Sequence, residues 1–380
     1  MKILFFLLAP LAITFWSCSS TSNTKVESDK LFIDLEITDS LRWEDLFEEV
    51  EVIPLEFTEQ SMLTAVDEIL MQDDSYLVFD KKAQVIYKFD LEGNYLSKLD
   101  QAGEGPDEYQ LIYDVSINPY TGNIELLSGY GSFFIYDKNF QWVETFDFPD
   151  IVSATQFDYF SEDVILLFSR YDRDHNLMLY SRSEKRHIKK MNQPEKSVLE
   201  SNNSVTISFL ENPLINTPEG LLFCIPFYNS VYRIGLEGLE FDYQWDFGDY
   251  VVDEGGIKAD DPQEKIMEQG KKIIESFSSL INLYENEQII FAQFILKGKL
   301  GTLLYHKELE KYKILYGDMP DSSIKILDDG FIAPTSSVRL QTLPKLLKNS
   351  NNNFPFDKID IGNEENNPYL LKYSFNKKWW

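Results

Sequence analysis

The sequence predicts an all-β protein in which a four-stranded antiparallel sheet is repeated six times. Three observations support this fold class. Short apolar runs with an aromatic residue recur along the chain, two further strand-like runs precede each of them, and turns rich in Asp, Glu, Asn or Gly separate the runs. A period of several tens of residues is typical of repeat folds, in which each unit buries its apolar faces against its neighbours.

The repeat is clearest at six positions, of which five are aromatic. These positions are Phe89, Tyr136, Tyr180, Ile234, Tyr305 and Tyr373. They are separated by 47, 44, 54, 71 and 68 residues, so the last two intervals contain insertions.

Each of the first five units has room for four strands. These units span residues 63–100, 112–148, 154–191, 212–247 and 280–317, and the sixth begins at residue 323. The sixth unit has room for three strands, because the chain ends at Trp380 soon after the last run, residues 370–375. A strand-like run, VEVIPLEF at residues 50–57, is left over near the N-terminus. We predict that it pairs near Ile53 with the closing strand near Leu371.

Such a pairing joins the first and last units and closes the six sheets into a ring. It also covers a sheet edge that would otherwise be exposed. The predicted architecture is therefore a six-bladed β-propeller with four-stranded antiparallel blades, whose last blade is completed by an N-terminal strand.

A helical insertion is predicted at residues 261–281. Asp261 is suited to the N-cap position, Pro262 to the first helical position, and Glu264 to the capping box. One face of the helix would carry Ile266, Ile273, Phe277 and Leu280.

A second insertion, residues 336–367, is predicted to be a long surface loop. It contains a segment predicted to be helical around Pro344 and a polar NSNNN run. Insertions on one face of a propeller commonly shape what the protein binds.

The N-terminus predicts export. Ile3–Trp16 is a nearly continuous apolar run of 14 residues, shorter than the roughly 20 residues that cross a bilayer as a helix. We predict that residues 1–17 are a signal peptide. The Ser17-Cys18 pair at its end resembles a bacterial lipoprotein box, which implies that Cys18 carries lipid and tethers the protein to a membrane. Plain secretion is the alternative.

Residues 18–40 are then expected to be a flexible linker, and residues 41–380 a single propeller domain. The expected location is the cell envelope, either facing the periplasm or on the outer surface. If Cys18 carries lipid, Cys224 has no partner, so neither a disulfide nor a thiolate metal cluster is possible.

The formal net charge of the chain is −28 at pH 7. This acidity argues against nucleic acid as a partner, because phosphate groups would be repelled. A solubilising surface charge explains it without any specific ligand.

Motifs that carry catalysis are scarce. The chain has three histidines, at positions 175, 187 and 306, and neither an HExxH motif nor a GxSxG motif. Carboxylate pairs such as Asp73-Asp74 fall in predicted hairpin turns. We therefore predict no catalytic residues and no cofactor, and leave open whether the protein is an enzyme.

The stretch QAGEGPDEYQ, residues 101–110, supports two interpretations. In the first it is a bend between two blades, in which Gly103 and Gly105 permit positive φ, Glu108 bonds turn amides and Tyr109 packs between blades. In the second it is a ligand-facing rim that offers carboxylates and an aromatic ring to a cation or a sugar. The rim candidates are Glu104, Asp107, Glu108 and Tyr109. The two interpretations are compatible.

Several motifs resemble the six-bladed β-propeller lipoproteins of Bacteroidetes. The matching segments are Glu51–Glu56 (EVIPLE), Asp74–Asp80 (DSYLVFD), Ile86–Gly93 (IYKFDLEG), Gly103–Tyr109 (GEGPDEY) and Asn367–Leu371 (NPYLL). Asp107 stands where that family usually has glycine. The resemblance covers residues 46–120 densely and the C-terminal end again. It implies the propeller fold and leaves the chemistry open.

Two function classes remain from the sequence. The first is a membrane-tethered module that binds a protein or a glycan. The second is a calcium-dependent hydrolase or lyase of the lactonase type, in which oxygen ligands from several inner strands hold the ion. The inner strands offer Asp67, Glu68, Asp114, Asn118, Asp158, Asn212 and Asn282. Asp67, Asp114 and Asp158 are the metal-ligand candidates among them, and we favour the binding module.

Overall fold

The structure of the chain is a computed structural model. It describes residues 30–36, 46–149 except 106 and 130, 154–169, 175–193, 213–225, 229–250, 258–276 except 259, 278–316 except 298, 324–342 and 366–376. The predicted signal peptide, Cys18, Asn212 and Pro344 lie outside the described residues.

Six antiparallel sheets, each with four strands from the repeat, form the six blades of the predicted propeller. Blade 1 consists of β3 (Glu68–Gln72), β4 (Ser75–Asp80), β5 (Val85–Asp90) and β6 (Tyr95–Leu99). Blade 2 consists of β7 (Ile112–Ile117), β8 (Ile124–Ser128), β9 (Ser132–Tyr136) and β10 (Trp142–Asp147). Blade 3 consists of β11 (Gln156–Tyr159), β12 (Val164–Phe168), β13 (Leu177–Ser181) and β14 (Arg186–Met191).

The remaining blades follow the same order from the channel outward. Blade 4 consists of β15 (Leu214–Thr217), β16 (Gly220–Ile225), β17 (Ser230–Ile234) and β18 (Leu239–Asp246). Blade 5 consists of β19 (Ser278–Glu285), β20 (Ile289–Leu296), β21 (Lys299–His306) and β22 (Lys311–Tyr316). Blade 6 consists of β23 (Lys325–Leu327), β24 (Gly330–Thr335), β25 (Tyr369–Phe375) and β2 (Phe47–Pro54).

The ring closes in the way that the sequence predicts. β2 runs antiparallel to β25, with Ile53 opposite Leu370 and Val52 opposite Leu371. An N-terminal strand and the C-terminal strand therefore share one sheet. Because opening this blade would expose two strand edges, the pairing holds the whole ring closed.

Six apolar cores fill the spaces between neighbouring blades, one at each boundary. The strands supply them by alternation: in β9, Phe133 and Ile135 lie in the core shared with blade 3, whereas Phe134 and Tyr136 lie in the core shared with blade 1. This two-sided burial explains why the middle strands read as continuous apolar runs.

The helical insertion is shorter than predicted. Helix α1 spans Gln263–Ser276, and residues from Ser278 onward form β19. Leu280 is 1% exposed and lies opposite Phe294 in the sheet, so the prediction of a helix to residue 281 was wrong. Leu280 fits the helical period, but pairing with β20 outweighs this local preference.

The start of α1 also differs from the predicted capping box. The Asp261 carboxylate accepts hydrogen bonds from the Lys258 amide at 2.9 Å and from the Lys265 ammonium at 2.8 Å. A second helix, α2, spans Ser337–Thr342 and begins before the segment predicted around Pro344. Within the described residues, neither helix has the length and apolar character of a membrane-crossing segment.

Part of the predicted linker is folded. Strand β1 (Lys30–Phe32) runs parallel to β18 and adds a fifth strand to blade 4. Ile33 and Leu35 are buried in the core between blades 4 and 5, and the Tyr316 hydroxyl donates a hydrogen bond to the Leu35 carbonyl at 2.7 Å. Leu31, Ile33 and Leu35 alternate with residues that are more exposed, as expected for a strand at a sheet edge, which corrects the flexible-linker prediction for residues 30–36.

Candidate functional site

A central channel of about 900 Å³ is lined by the innermost strands of all six blades. These strands are β3, β7, β11, β15, β19 and β23. The first residues of the inner strands lie next to the connections between blades, so one mouth of the channel opens on the face that carries these connections. The cavity can hold a small organic molecule or a side chain of a larger ligand.

Charged side chains from several blades meet in this channel. Glu68 is the first residue of β3, Asp114 is the third residue of β7, and Asp158 is the third residue of β11. Lys325, the first residue of β23, and Lys81, which follows β4, line the same cavity. We name these five residues the channel cluster.

Two members of the channel cluster are held by hydrogen bonds from neighbouring blades. The Asp114 carboxylate accepts a bond from the Phe157 amide at 2.8 Å, which ties blade 2 to blade 3. The Asp158 carboxylate accepts bonds from its neighbour, the Tyr159 amide, at 2.7 Å and from the Asn216 side chain at 3.0 Å. These bonds fix the direction of both carboxylates.

The lysines and Glu68 differ in their partners. The Lys81 ammonium donates a hydrogen bond to the Tyr113 carbonyl at 2.7 Å. Among the described residues, neither Glu68 nor Lys325 makes a side-chain hydrogen bond or an ion pair. An acid and a base therefore face the channel and act on each other electrostatically, but neither is hydrogen-bonded in the described part of the chain.

The pKa values of the three carboxyl groups are raised. Burial in the channel wall raises the pKa of Asp114 to about 7 and the pKa of Asp158 to about 6, although backbone amides donate to both. Burial also raises the pKa of Glu68 well above its usual value, and the neighbouring Asp114 carboxylate adds to this shift. Lys325 and Lys81 act in the opposite direction without cancelling the shift. The three carboxyls therefore carry a share of protons at neutral pH.

The predicted calcium ligands do not converge as a metal site within the described residues. No group of three or more Asp, Glu, His or Cys side chains in that part of the chain is spaced to hold a metal ion. Asp67 accepts a hydrogen bond from the Lys81 amide at 2.7 Å. The side chains of Asn118 and Asn282 donate to Glu125 at 2.8 Å and to Gln293 at 2.7 Å, respectively, and Asn212 lies outside the described residues.

The connection between blades 1 and 2 contains the GEGPDEY motif. Tyr109 is 1% exposed, and its ring lies in the core between the two blades, edge-on to Phe134. Its hydroxyl donates to the Gln84 carbonyl at 2.9 Å and to the Leu99 carbonyl at 3.2 Å. The Tyr109 ring is therefore not part of a solvent-facing rim.

Glu108 stabilises the same connection. Its carboxylate accepts a hydrogen bond from the Gly105 amide at 2.8 Å. A Cβ atom on Gly103 would lie 1.9 Å from the Glu108 Oε2 atom, so a larger residue there would displace the carboxylate that bonds the Gly105 amide. Neither Gly103 nor Gly105 adopts the positive φ that glycine permits. Glu104 and Asp107 are exposed and remain the rim candidates of this loop.

A family model for a domain of unknown function, DUF4934, matches residues 31–373, which is most of the chain. The chain belongs to the DUF4934 family. Among proteins of curated function, none matches the sequence.

Solved structures share the fold of this DUF4934 protein. A protein of Bacteroides fragilis described as exported has a TM-score of 0.71 at 17% identity, with 92% of this chain and 100% of that chain covered. A DUF4221 member from Bacteroides vulgatus has a TM-score of 0.57 at 9% identity, with 87% and 98% covered. The virginiamycin B lyase of Staphylococcus aureus reaches 0.41 at 11% identity, with 75% and 81% covered, a likeness too distant to carry an argument.

The other motifs of this DUF4934 chain that carry its resemblance to the Bacteroidetes lipoproteins meet at the ring closure. The Glu56 amide donates to the Gly93 carbonyl at 2.8 Å, and the Glu56 carboxylate accepts from the Tyr95 amide at 2.8 Å. The Asn367 side chain donates to the carbonyls of Glu56 and Ser61, both at 2.7 Å. These motifs therefore stabilise the propeller where its first and last strands meet.

A buried ion pair that the sequence did not reveal lies beside the channel of the DUF4934 protein. Glu125, 1% exposed, accepts hydrogen bonds from the Arg182 guanidinium and, at 3.0 Å, from the Tyr159 hydroxyl. The pair joins blades 2 and 3 behind the channel wall. A glutamate within the apolar run IELLS was the available signal, because a charged residue in such a strand needs a buried partner.

Proposed function

We propose that this protein is a binding module of the cell envelope that takes part of a protein or glycan ligand into its central channel. The observation that carries the proposal is the pair of side chains Glu68 and Lys325, which line a cavity of about 900 Å³ and make no hydrogen bond or ion pair within the described residues. Charged groups that are partly withdrawn from water cost free energy unless they are hydrogen-bonded, and a ligand that bonds them would recover this cost.

The proposal includes export and lipid attachment at Cys18. The apolar leader and the Ser17-Cys18 pair support it, and the structural similarity to a protein described as exported is consistent with it. Membrane contact would then be made by the acyl chains, with the propeller held at the membrane surface.

The calcium-dependent hydrolase or lyase remains the alternative and has no comparable support. Five carboxyl groups line the channel, but within the described residues they do not form a metal cluster. We therefore base the proposal on binding.

A channel-blocking substitution tests the proposal. Asn216 lies in the channel wall and is exposed, so Asn216→Trp places a large ring in the cavity with little expected change to the cores. The matched control is Glu144→Trp, at an exposed position on the outer strand β10. Both variants and the wild type would be screened on arrayed glycans and arrayed peptides, with melting temperature as a check of folding.

Ligands of the wild type should lose about tenfold or more in affinity for Asn216→Trp and stay within about twofold for Glu144→Trp, because only the first fills the cavity. Ligands that bind Asn216→Trp as well as the wild type would show that the channel is not the site. Absence of any ligand on both arrays would count against a glycan or peptide binding module.

A further inference from the structure

We infer that the ligand places an organic ammonium group, such as a lysine side chain or a primary amine, against Glu68 and Asp114 in the channel. This inference rests on the proposed function, since it names the ligand chemistry of the same channel. Three arguments support it: the charge count of the channel, the protons that its carboxyl groups hold, and the placement of those groups on three blades.

The first argument is the charge count. Besides Glu285, four carboxyl groups line the channel, against two ammonium groups. The carboxyl groups belong to Asp67, Glu68, Asp114 and Asp158, and the ammonium groups to Lys81 and Lys325. The Lys81 ammonium already bonds the Tyr113 carbonyl. Full ionisation therefore leaves an excess of negative charge that a cation would balance.

The remaining groups that face the cavity do not change this balance. Blade 4 contributes Asn216 and blade 5 contributes Asn282, both uncharged. Glu285, also on blade 5, pairs with the Lys307 ammonium at 2.5 Å and accepts from the Tyr243 hydroxyl at 2.9 Å. The other titratable groups of the lining are Tyr113, Tyr159 and Tyr284.

The second argument concerns protons. The pKa values of Glu68, Asp114 and Asp158 stay raised despite the nearby lysines, so these carboxyl groups carry a share of protons at neutral pH. A cation beside a carboxyl group favours its ionised form. Binding of an ammonium group would therefore displace protons, and the number of protons released is measurable.

The third argument distinguishes an organic cation from a metal ion. Calcium requires six to eight oxygen ligands at roughly 2.3 to 2.6 Å. The carboxyl groups come from three different blades and do not form such a cluster in the described part of the chain. An ammonium group donates hydrogen bonds to separated acceptors at about 2.8 Å and keeps its charge on a flexible stem. Carboxyl groups on separate strands suit this second kind of cation.

Isothermal titration of the full chain in detergent, with Nα-acetyl-lysine methylamide as the probe, tests the inference. Its Nε-acetylated form has the same shape without the charge. Methyl α-glucoside and calcium chloride are the comparison ligands. Titrations in two buffers with different heats of ionisation count the protons released.

We expect binding of the lysine probe with release of protons at neutral pH. Affinity should rise about tenfold or more from about pH 5.5 to about pH 8, because ionised carboxylates bind the ammonium group. Glu68→Gln and Asp114→Asn should each weaken binding about tenfold or more, and the control Glu144→Gln should leave it within about twofold. Acetylation of the probe should weaken binding by a similar factor.

Several results would overturn the inference. These are equal binding of the acetylated probe, no proton release, unchanged affinity in both channel variants, and no binding of the lysine probe. If methyl α-glucoside or an arrayed glycan still binds and is lost with Asn216→Trp, the channel is a binding site and only the ammonium chemistry is wrong. If no ligand depends on the channel, the proposed function itself fails.

Discussion

The blade 1–2 connection and the channel cluster are both rich in acidic residues, yet they differ in how their polar groups are used. In the connection, Glu108 bonds the Gly105 amide and the Tyr109 hydroxyl bonds two carbonyls. In the channel, the side chains of Glu68 and Lys325 make no hydrogen bond or ion pair with the described residues. The density of polar residues is therefore a poor guide to a binding site. Whether their side chains are hydrogen-bonded within the protein is a better guide.

The largest expected effect tests the structural role of the connection. Tyr109→Ala removes a fully buried ring and leaves two carbonyls without their donor, so the free energy of unfolding should fall by about 3–5 kcal/mol. Urea unfolding measures this change. Tyr120→Ala, at a residue that is 50% exposed, is the control and should change it by less than about 0.5 kcal/mol. A small effect at Tyr109 would favour a rim role for the ring.

A smaller effect is expected at Gly103. Gly103→Ala forces the Glu108 carboxylate to move, which should cost about 1–3 kcal/mol of unfolding free energy. Combining it with Glu108→Ala removes the clash, so the double variant should lose less than the sum of the single losses. A double-mutant cycle by urea unfolding measures the coupling. Additive losses would show that the two residues do not compete for the same space.

The smallest effect is expected in the channel and depends on pH. The folded-state pKa of Asp114 is raised to about 7, above its unfolded value of about 3.9, so the folded protein binds more protons between these values. Stability conferred by this site should be present below about pH 4 and should be lost as the pH rises through about 7. Asp114→Asn removes this dependence while keeping an acceptor for the Phe157 amide.

The melting temperature of Asp114→Asn should therefore exceed that of the wild type at about pH 8 and approach it at about pH 4. Glu144→Gln, on the exposed outer strand of blade 2, serves as the control and should follow the wild type at both values. If the melting temperatures of the wild type and of Asp114→Asn changed in parallel with pH, the Asp114 carboxyl group would be ionised normally in the folded protein.

The fold was predictable because local patterns and topology agree. The apolar runs that anchor the repeat became strands, and the left-over run around Ile53 paired with the strand of Leu370. The sequence was ambiguous where a residue fits both the helical and the strand period. Leu280 fits a helical face and also an inner strand, and in the structure it lies in the strand, opposite Phe294. The segment 30–36 is too short to show its strand without knowledge of the blade edge that it joins.

The site was predictable only in part. Asp114 and Asp158 were candidates by their positions on inner strands, and both line the channel. Lys325 was not found, because a lysine at the start of a three-residue strand reads as an ordinary exposed charge. The register of an inner strand decides whether a given side chain faces the channel or packs within the blade. A shift of the register by one residue exchanges the two directions.

The strand β1 lies along the outer edge of blade 4, at the circumference of the ring. If Cys18 is anchored in a membrane, the chain between Cys18 and Lys30 has a reach of at most about 40 Å. The tether would then join the propeller at the outer edge of blade 4 and not on the axis of the ring. A force on the N-terminus would act first on the pairing of β1 with β18, along the direction of the strands. The pairing of β2 with β25, which closes the ring, would not bear this force.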